Sequence, residues 1–243
     1  MDQGRCVRAV SSVVLILSLC SFTACDSGDN QGTSGTTTAS ASYVPNYSLA
    51  APAHQSSLPC KDADPTHLCI ALKYMAYEDG SGTAVVSQAQ ASANVSNINS
   101  LWSQCHIQFY LETYQAINSS SYGLEFESST MDELSKVRSS LASSSQMLVV
   151  TTGTWGGTLG AQPANAWTEL PPVGPFGAVV EGSVGQYYNI VAHELGHYLN
   201  LVHVADQYNV MNPVVYSNSM NIIDTQCSMA RATAISFWGA MLR

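Results

Sequence analysis

The sequence predicts an α+β domain in which long helices pack on a twisted, mixed β-sheet. Three patterns lead to this prediction: an apolar alternation that starts at Leu68, a helical apolar repeat from Ala91 to Cys105, and a continuous apolar run at 147–150. The chain has 243 residues, of which 46% are hydrophobic. A chain of this length and composition can build one sizeable core and is short for two enzyme domains.

The first half of the domain alternates strand and helix. Every second residue from Leu68 to Tyr74 is apolar, which predicts a half-buried strand. A long amphipathic helix should follow the Gly-Ser-Gly turn at 80–82, because apolar residues then recur at steps of four and three up to Cys105. The strand period returns at 107–111, so a second strand is expected there.

The second half contains shorter elements. We expect an irregular, Ser-rich region at 118–130, a short helix over Met131–Leu141 and a central strand, covered on both faces, at 147–150. Glycine and proline are frequent at 153–177, which predicts a long loop before one more short strand at 178–181. Added to the first half, these elements predict a mixed sheet with helices packed on it.

A helix is expected to close the chain. Asp224 is a good helix N-cap. The residues that keep the helical spacing beyond it are Cys227, Ala230, Ala234, Phe237 and Met241. The sequence therefore predicts a C-terminal helix that continues to the end of the chain.

The charge of the chain excludes one class of partner. The net charge is −9, with 8 lysines and arginines against 17 aspartates and glutamates. Proteins that bind nucleic acid need a basic surface that neutralises phosphates, and the sequence contains no basic stripe. We therefore expect no nucleic-acid partner, and we expect the domain to be a monomer.

The N-terminal residues have the pattern of an export signal. Two arginines precede an apolar run at 13–19, and small residues then lead into Cys25, which favours a signal peptide over a membrane-spanning helix. The tetrad Phe-Thr-Ala-Cys at 22–25 resembles the lipobox of bacterial lipoproteins, in which the cysteine becomes the lipidated first residue. We predict a signal peptide over 1–25 and a lipid anchor on Cys25 that faces the periplasm or the exterior. An ordinary signal peptide, cut nearby from a secreted protein, is the alternative.

A flexible tether and a disulfide-containing domain are expected after the signal. Residues 26–45 are mostly Ser, Thr, Gly, Asp and Asn and have little to bury, so the globular domain should cover 46–243. Four cysteines in an exported domain suggest two disulfides. These cysteines are Cys60, Cys69, Cys105 and Cys227. Three pairings are possible, and we favour the short Cys60–Cys69 loop with a Cys105–Cys227 bond.

The most informative stretch lies at 191–203, with the sequence VAHELGHYLNLVH. On a helix, His193 and His197 are one turn apart on the same face, so both imidazoles can reach one ion at about 2.1 Å. Glu194 lies about 100° around the helix axis, close to the ion without being forced to bind it. Its carboxylate is then able to take a proton from a water molecule at the ion.

The third histidine requires a turn in the chain. On an unbroken helix His203 would lie about 15 Å along the axis from His193, too far to share an ion. Asn200 stands where the turn is needed, and asparagine is the non-glycine residue that best tolerates the left-handed conformation at helix ends. We therefore predict that the helix ends near Asn200 and that His203 completes a three-histidine site. The alternative is an amphipathic helix with ordinary surface or core histidines.

This segment resembles the metzincin signature, H-E-x-x-H-x-x-G-x-x-H followed by a Met-turn. The turn would be Asn-Val-Met-Asn-Pro at 209–213, with Met211 eight residues after the last histidine. The resemblance implies one catalytic zinc ion on the three histidines, Glu194 as the general base and Met211 as a hydrophobic floor beneath the ligands.

Two departures from the metzincin pattern leave the subfamily open. Asn200 replaces the usual glycine. Pro213 stands where astacin-like and serralysin-like members carry a tyrosine, and no catalytic role is assigned to the nearby Tyr216. His54, His67 and His106 have no partner spacing and are expected to be ordinary residues, and no calcium-binding pattern is visible.

The resemblance also implies an architecture and an activity. An upper subdomain would extend to about residue 200, a lower subdomain would cover 201–243 and end in a helix, and the cleft would lie between them. The strand at 178–181 would form the sheet edge that pairs with an extended peptide substrate. We expect a zinc endopeptidase that cleaves extracytoplasmic proteins or peptides. The alternatives are a lipid-anchored, zinc-containing binding protein of the same fold with little or no peptidase activity, and a non-enzymatic adhesin without zinc.

Overall fold

The computed structural model describes residues 66–243, together with Cys60 and residues 22, 23, 25 and 26. The strands in this part of the chain are β1 (Phe22–Thr23), β2 (Cys25–Asp26), β3 (Leu68–Tyr77), β4 (Ile107–Ile117), β5 (Met147–Thr151), β6 (Ala166–Thr168), β7 (Ala178–Val180) and β8 (Val214–Val215). The α-helices are α1 (Gln88–Trp102), α2 (Met131–Leu141), α3 (Gly157–Gly160), α4 (Tyr188–Tyr198) and α5 (Asp224–Ser236). Short 3-10 helices cover Ser103–Cys105, Ser119–Tyr122 and Gly239–Met241.

The main sheet is mixed, as the sequence predicts. Its strand order is β2-β6-β7-β5-β3-β4. The strands β4, β3, β5 and β7 run parallel, whereas β6 is antiparallel to β7. The two-residue strand β2 pairs with β6 at the outer edge, and β1 pairs with β8 in a separate two-stranded sheet.

Helices cover both faces of this sheet. Alternate residues of β3, such as Leu72 and Tyr74, face the core formed with α1 and α4, while Met75 and Tyr77 face the core formed with α2. The strand β3 is therefore buried on both faces rather than half-buried, because it lies between two parallel strands of a covered sheet. The strand at 147–150 was predicted to be central and doubly covered, and this is confirmed.

The prediction for the sheet edge is wrong. The strand β7 at 178–180 lies inside the sheet, between β5 and β6, so it cannot be the edge strand. Beyond β7 the sheet continues with β6 and then with the two-residue strand β2. The strand β6 lies within the stretch 153–177 that composition predicts to be a loop. A strand of three residues between Pro163 and Pro171 is too short to show a period of two, which explains why the pattern misses it.

The C-terminal helix is shorter than predicted. Its N-cap is Ile223 rather than Asp224, and the helix ends at Ser236 instead of continuing to Met241. The indole of Trp238 is buried and donates a hydrogen bond of 2.7 Å to the carbonyl of Tyr198, at the end of α4. This contact ties the end of the chain to the upper part of the fold.

No helix among the described residues is long and apolar enough to cross a bilayer.

Both favoured disulfides are present. The Cys60–Cys69 bond closes a sequence separation of 9 residues. The Cys105–Cys227 bond closes a separation of 122 residues and joins the end of the α1 region to α5. The second bond therefore ties the lower part of the chain, after residue 200, to the sheet and its helices.

The two disulfides should differ in their contribution to stability. Replacing Cys105 and Cys227 by alanine is expected to lower the free energy of unfolding by about 2–5 kcal/mol, because a long loop in the unfolded chain is released. The matched pair of substitutions at Cys60 and Cys69 releases a much shorter loop and should cost about 2 kcal/mol less. Urea unfolding of both variants gives the comparison, and an equal loss in the two would contradict it.

Candidate metal centre

Three ring nitrogens converge at one point of the molecule. The Nε2 atoms of His193 and His197 are 3.0 Å apart, those of His197 and His203 are 3.2 Å apart, and those of His203 and His193 are 3.3 Å apart. Ligands of a tetrahedral zinc ion with bonds of about 2.0–2.1 Å are separated by roughly 3.3–3.4 Å. The three nitrogens are thus close enough to be ligands of one ion, and within the described part of the chain the three histidines form a group that could hold a metal ion.

Backbone carbonyls orient two of the imidazoles. Nδ1 of His193 lies 2.6 Å from the carbonyl oxygen of Val210, and Nδ1 of His197 lies 2.7 Å from that of Leu201. A carbonyl oxygen can only accept a hydrogen bond, so in the neutral imidazole Nδ1 carries the proton and Nε2 keeps a free lone pair. These two Nε2 atoms cannot then bond each other, and a shared cation would satisfy both.

Burial keeps the first two histidines neutral. His193 and His197 are both fully buried. Burial lowers the pKa of His193 well below its ordinary value, and the nearby His197 lowers it further. Burial likewise lowers the pKa of His197 to about 4, against a hydrogen bond to Leu201 that raises it. His203 is only partly buried, so the site opens to solvent on its side.

The turn that brings in His203 is centred on Asn200. The helix α4 ends at Tyr198, and Asn200 has a left-handed φ of 65°. The N–H of Asn200 donates to the carbonyl of His197 at 2.8 Å, and the N–H of Leu201 donates to the carbonyl of Gly196 at 2.9 Å. These two bonds form a Schellman motif, which satisfies the last carbonyls of the helix. The turn predicted from the sequence is therefore present.

Met211 lies directly against the metal-binding helix. A Cβ atom added to Gly196 would overlap the Met211 sulfur, so a side chain at this position would have to displace the methionine. The N–H of Met211 donates to the side chain of Asn209, and the amide of Asn209 exchanges two hydrogen bonds with that of Gln226 on α5. The first turn of α5 thereby fixes the segment that carries Met211. The roles of Gly196 and Gln226 have no signal in the sequence, because both depend on contacts between distant segments.

The other candidate residues occupy different positions. Glu194 is fully buried on α4, next to His193 in the sequence. Tyr216 is half-buried, and its backbone carbonyl accepts a hydrogen bond of 2.8 Å from Asn189 in the first turn of α4. His67 and His106 face each other with ring centroids 5.0 Å apart and are not part of the three-histidine group. The side chains of Cys25, the predicted lipidation site, and of His54 are not among those that the structure describes.

Two strands flank the metal-binding helix. β6 lies between β7 and the two-residue edge strand β2 in the main sheet, and β8 follows the Met211 turn. Both contact α4. The N–H of Glu181 donates to the carbonyl of Asn165, and the pairing then alternates along β6, so that Trp167 faces β7. The N–H and C=O groups of Ala166 and Thr168 consequently point to the outer edge, where β2 pairs.

Comparison with known proteins adds a distant structural likeness. No protein-family model matches the sequence, and no curated protein matches it. Among solved structures, the chain is similar to metalloproteinase-II from Bacteroides fragilis, with a TM-score of 0.46 and 14% sequence identity. The match covers 67% of this chain and 52% of that protein, so the chain spans about half of its length. A likeness this distant assigns no function, which depends on the residues of the site.

The conformation of Asn200 can be tested by substitution. Asn200→Ala should lower the free energy of unfolding by about 1–2 kcal/mol, because alanine pays the full steric cost of the left-handed conformation. Asn200→Gly should be neutral or stabilising, since glycine has no such cost. Thermal unfolding of the zinc-loaded variants measures both effects. If alanine and glycine behave alike, the strain at this position is not what the geometry indicates.

Proposed function

We propose that the chain is a zinc-dependent endopeptidase that hydrolyses peptide bonds of extracytoplasmic proteins or peptides. The observation that carries the proposal is the convergence of three Nε2 atoms within 3.0–3.3 Å, two of them on neutral, buried imidazoles. Three neutral nitrogen ligands are typical of catalytic zinc, because they leave the ion its full charge and an open position. The presence of Glu194 on the same helix adds the base that hydrolysis requires.

His193, His197 and His203 would hold the ion. When bound, zinc would supply Lewis acidity, which makes water acidic near neutral pH and polarises a peptide carbonyl. Glu194 would accept the proton that the attacking water loses. The carboxyl group of Glu194 would then return this proton to the amine nitrogen as the C–N bond breaks and the new C–O bond remains.

The strand β6 would hold the substrate, on the side where β2 pairs with it in the structure. The outward N–H and C=O groups of Ala166 and Thr168 can pair with an extended peptide, a mode of recognition that depends little on the side chains of the substrate. β2 and β1 pair with the outer edge of β6 and with β8, so both strands beside α4 accept an extended backbone. This arrangement supports a protein or peptide as the substrate.

A second candidate function is a zinc-containing binding protein of the same fold with little or no peptidase activity. Its zinc site and its edge strand would be the same. The buried Glu194 favours the peptidase, because a buried carboxylate is costly and a binding protein has no chemical use for it. Chelator-sensitive cleavage of a denatured protein by the purified chain separates the two functions.

Three substitutions test the proposed site. Glu194→Gln should reduce hydrolysis by about 10²-fold or more while one zinc ion per chain is retained, because only the proton acceptor is lost. His203→Ala should lose zinc and stability together, since metal binding and folding are coupled. His67→Ala is the matched control and should keep both zinc and activity.

The measurements are initial rates and elemental analysis on pure, zinc-loaded protein. Activity that survives Glu194→Gln would show that another group is the base. Cleavage that a chelator does not reduce would exclude the zinc peptidase. A wild-type protein that holds zinc and cleaves nothing would support the binding protein instead.

We also propose that the chain is exported and anchored by a lipid on Cys25. Two disulfides in the folded domain agree with an oxidising, extracytoplasmic environment. In a bacterial host, the full-length protein should incorporate labelled palmitate and fractionate with membranes, and Cys25→Ala should abolish the label. Cys60→Ala is the control and should remain labelled. An unlabelled wild-type protein found in the medium would indicate an ordinary signal peptide.

A further inference from the structure

The strand β6 pairs with its neighbours over only a few residues. It contains three residues, and only Ala166 and Trp167 are in register with β7. The chain then leaves the sheet through residues 169–177 before it returns at Ala178. A strand this short, with only the two-residue strand β2 on its outer side, is expected to fray unless another element fixes it.

The buried side chain of Arg138 provides this additional support. Arg138 lies on α2 and is completely buried. Its Nε donates to the carbonyl of Gly177 at 2.9 Å, and its Nη2 donates to the carbonyl of Trp167 at 3.0 Å. Its Nη1 lies 3.6 Å from the carboxylate of Glu169. One guanidinium group therefore joins the middle residue of β6, the first residue after β6 and the residue just before β7.

The local sequence accommodates this side chain. A Cβ atom on Gly177 would come within 3.0 Å of Arg138 Cγ and 3.1 Å of a Leu148 methyl group, so the absence of a side chain lets the arginine pass. Only arginine can donate in one plane to two separate carbonyls and face a carboxylate, since lysine is a point donor on a flexible stem.

Burial of a guanidinium group in the core carries a large desolvation cost. Burial lowers the pKa of Arg138, and the negative charges of Glu169 and Glu194 oppose that effect. An apolar side chain of similar volume would often be as stable or more stable at such a place. The contribution that an apolar residue could not make is the fixed geometry of the two carbonyls.

The contact of Arg138 with Trp167 also affects the outer side of β6. Trp167 faces β7 and Arg138, whereas Ala166 and Thr168 on either side of it direct their N–H and C=O groups outward. Fixing the carbonyl of Trp167 therefore sets the direction of both outward pairs. In the structure these groups face β2, and under the proposed function the substrate backbone would take the place of β2 beside them.

We propose that Arg138 is a positioning residue for substrate, which holds β6 at the angle that lets an extended peptide pair with it. This inference rests on the proposed peptidase function. Arg138 does not touch the reacting atoms, so its loss should weaken the binding of long substrates more than it changes the chemical step.

The test compares Arg138→Met and Arg138→Lys with the wild type, all as zinc-loaded protein. The matched control is Lys136→Met, which removes another cation of α2 that donates to a backbone carbonyl, that of Gly123 at 2.6 Å. KM and kcat are measured for a denatured protein and for a short peptide that reaches only the residues beside its main cleavage site. Hydrogen exchange is followed at 166–177 and along α4, and zinc content is measured in parallel.

Arg138→Met should raise KM for the denatured protein about tenfold or more, with a change below about threefold for the short peptide. Exchange should become faster at 166–177 and stay unchanged in α4, with one zinc ion per chain. Arg138→Lys should fall between, and Lys136→Met should match the wild type.

Wild-type KM and wild-type exchange in Arg138→Met would overturn the proposal, and so would an equal loss on both substrates or a loss of zinc, which indicate a general structural role. If Arg138→Met does not fold, the same criteria apply to Arg138→Lys. If the wild type cleaves nothing, the proposed function fails, and faster exchange at 166–177 without any substrate still shows whether Arg138 holds β6.

Discussion

The site depends on the reversal of the chain at Asn200. The N–H of Leu201 closes the end of α4 by bonding the carbonyl of Gly196, and the carbonyl of Leu201 accepts the hydrogen bond that orients His197. The same residue thus ends the helix and fixes the second ligand. The left-handed conformation of Asn200 then turns the chain so that His203 comes back to the other two histidines. On an unbroken helix His203 would lie about 15 Å along the axis from His193.

The segment around Met211 orients His193, as the turn at Asn200 orients His197. The carbonyl of Val210 orients His193, and the Met211 sulfur lies against Gly196 on the same helix. Both orienting carbonyls belong to the chain after residue 200, whereas both ligands belong to the helix before it. The ligand set is therefore assembled only when the lower segment docks on α4, which links the formation of the site to the docking that the Cys105–Cys227 bond supports.

The parts of this structure that sequence could predict are those with a long local pattern. The strands β3 and β4 and the helix α1 follow from periodicity, and β5 follows from its continuous apolar run. The histidine spacing predicts the helix α4, and Asn200 predicts the turn after it. The sequence even held a signal for burial of both faces of β3, because Cys69, Ala71 and Met75 on the second face are apolar as well.

What sequence could not predict lies in contacts between distant segments. The strand β6 exists because Trp167 pairs with Val179, and three residues between prolines carry no period that reveals it. The orienting groups of Val210 and Leu201 are backbone carbonyls, which have no signature in a sequence. The disulfide pairing was one choice among three, and only the positions of α1 and α5 in space decide it.

The protonation of the two buried imidazoles gives the last reason to place a cation at this site. Each donates its Nδ1 proton to a carbonyl, so two Nε2 lone pairs face each other at 3.0 Å. A proton between them would relieve the repulsion, but burial disfavours a charged imidazolium and lowers the pKa of both rings. A divalent ion could accept both lone pairs, and Nε2 of His203 lies 3.2 Å and 3.3 Å from the two nitrogens, where it could be a third ligand. The fold has therefore prepared neutral donors for a metal ion and has made the competing proton unfavourable.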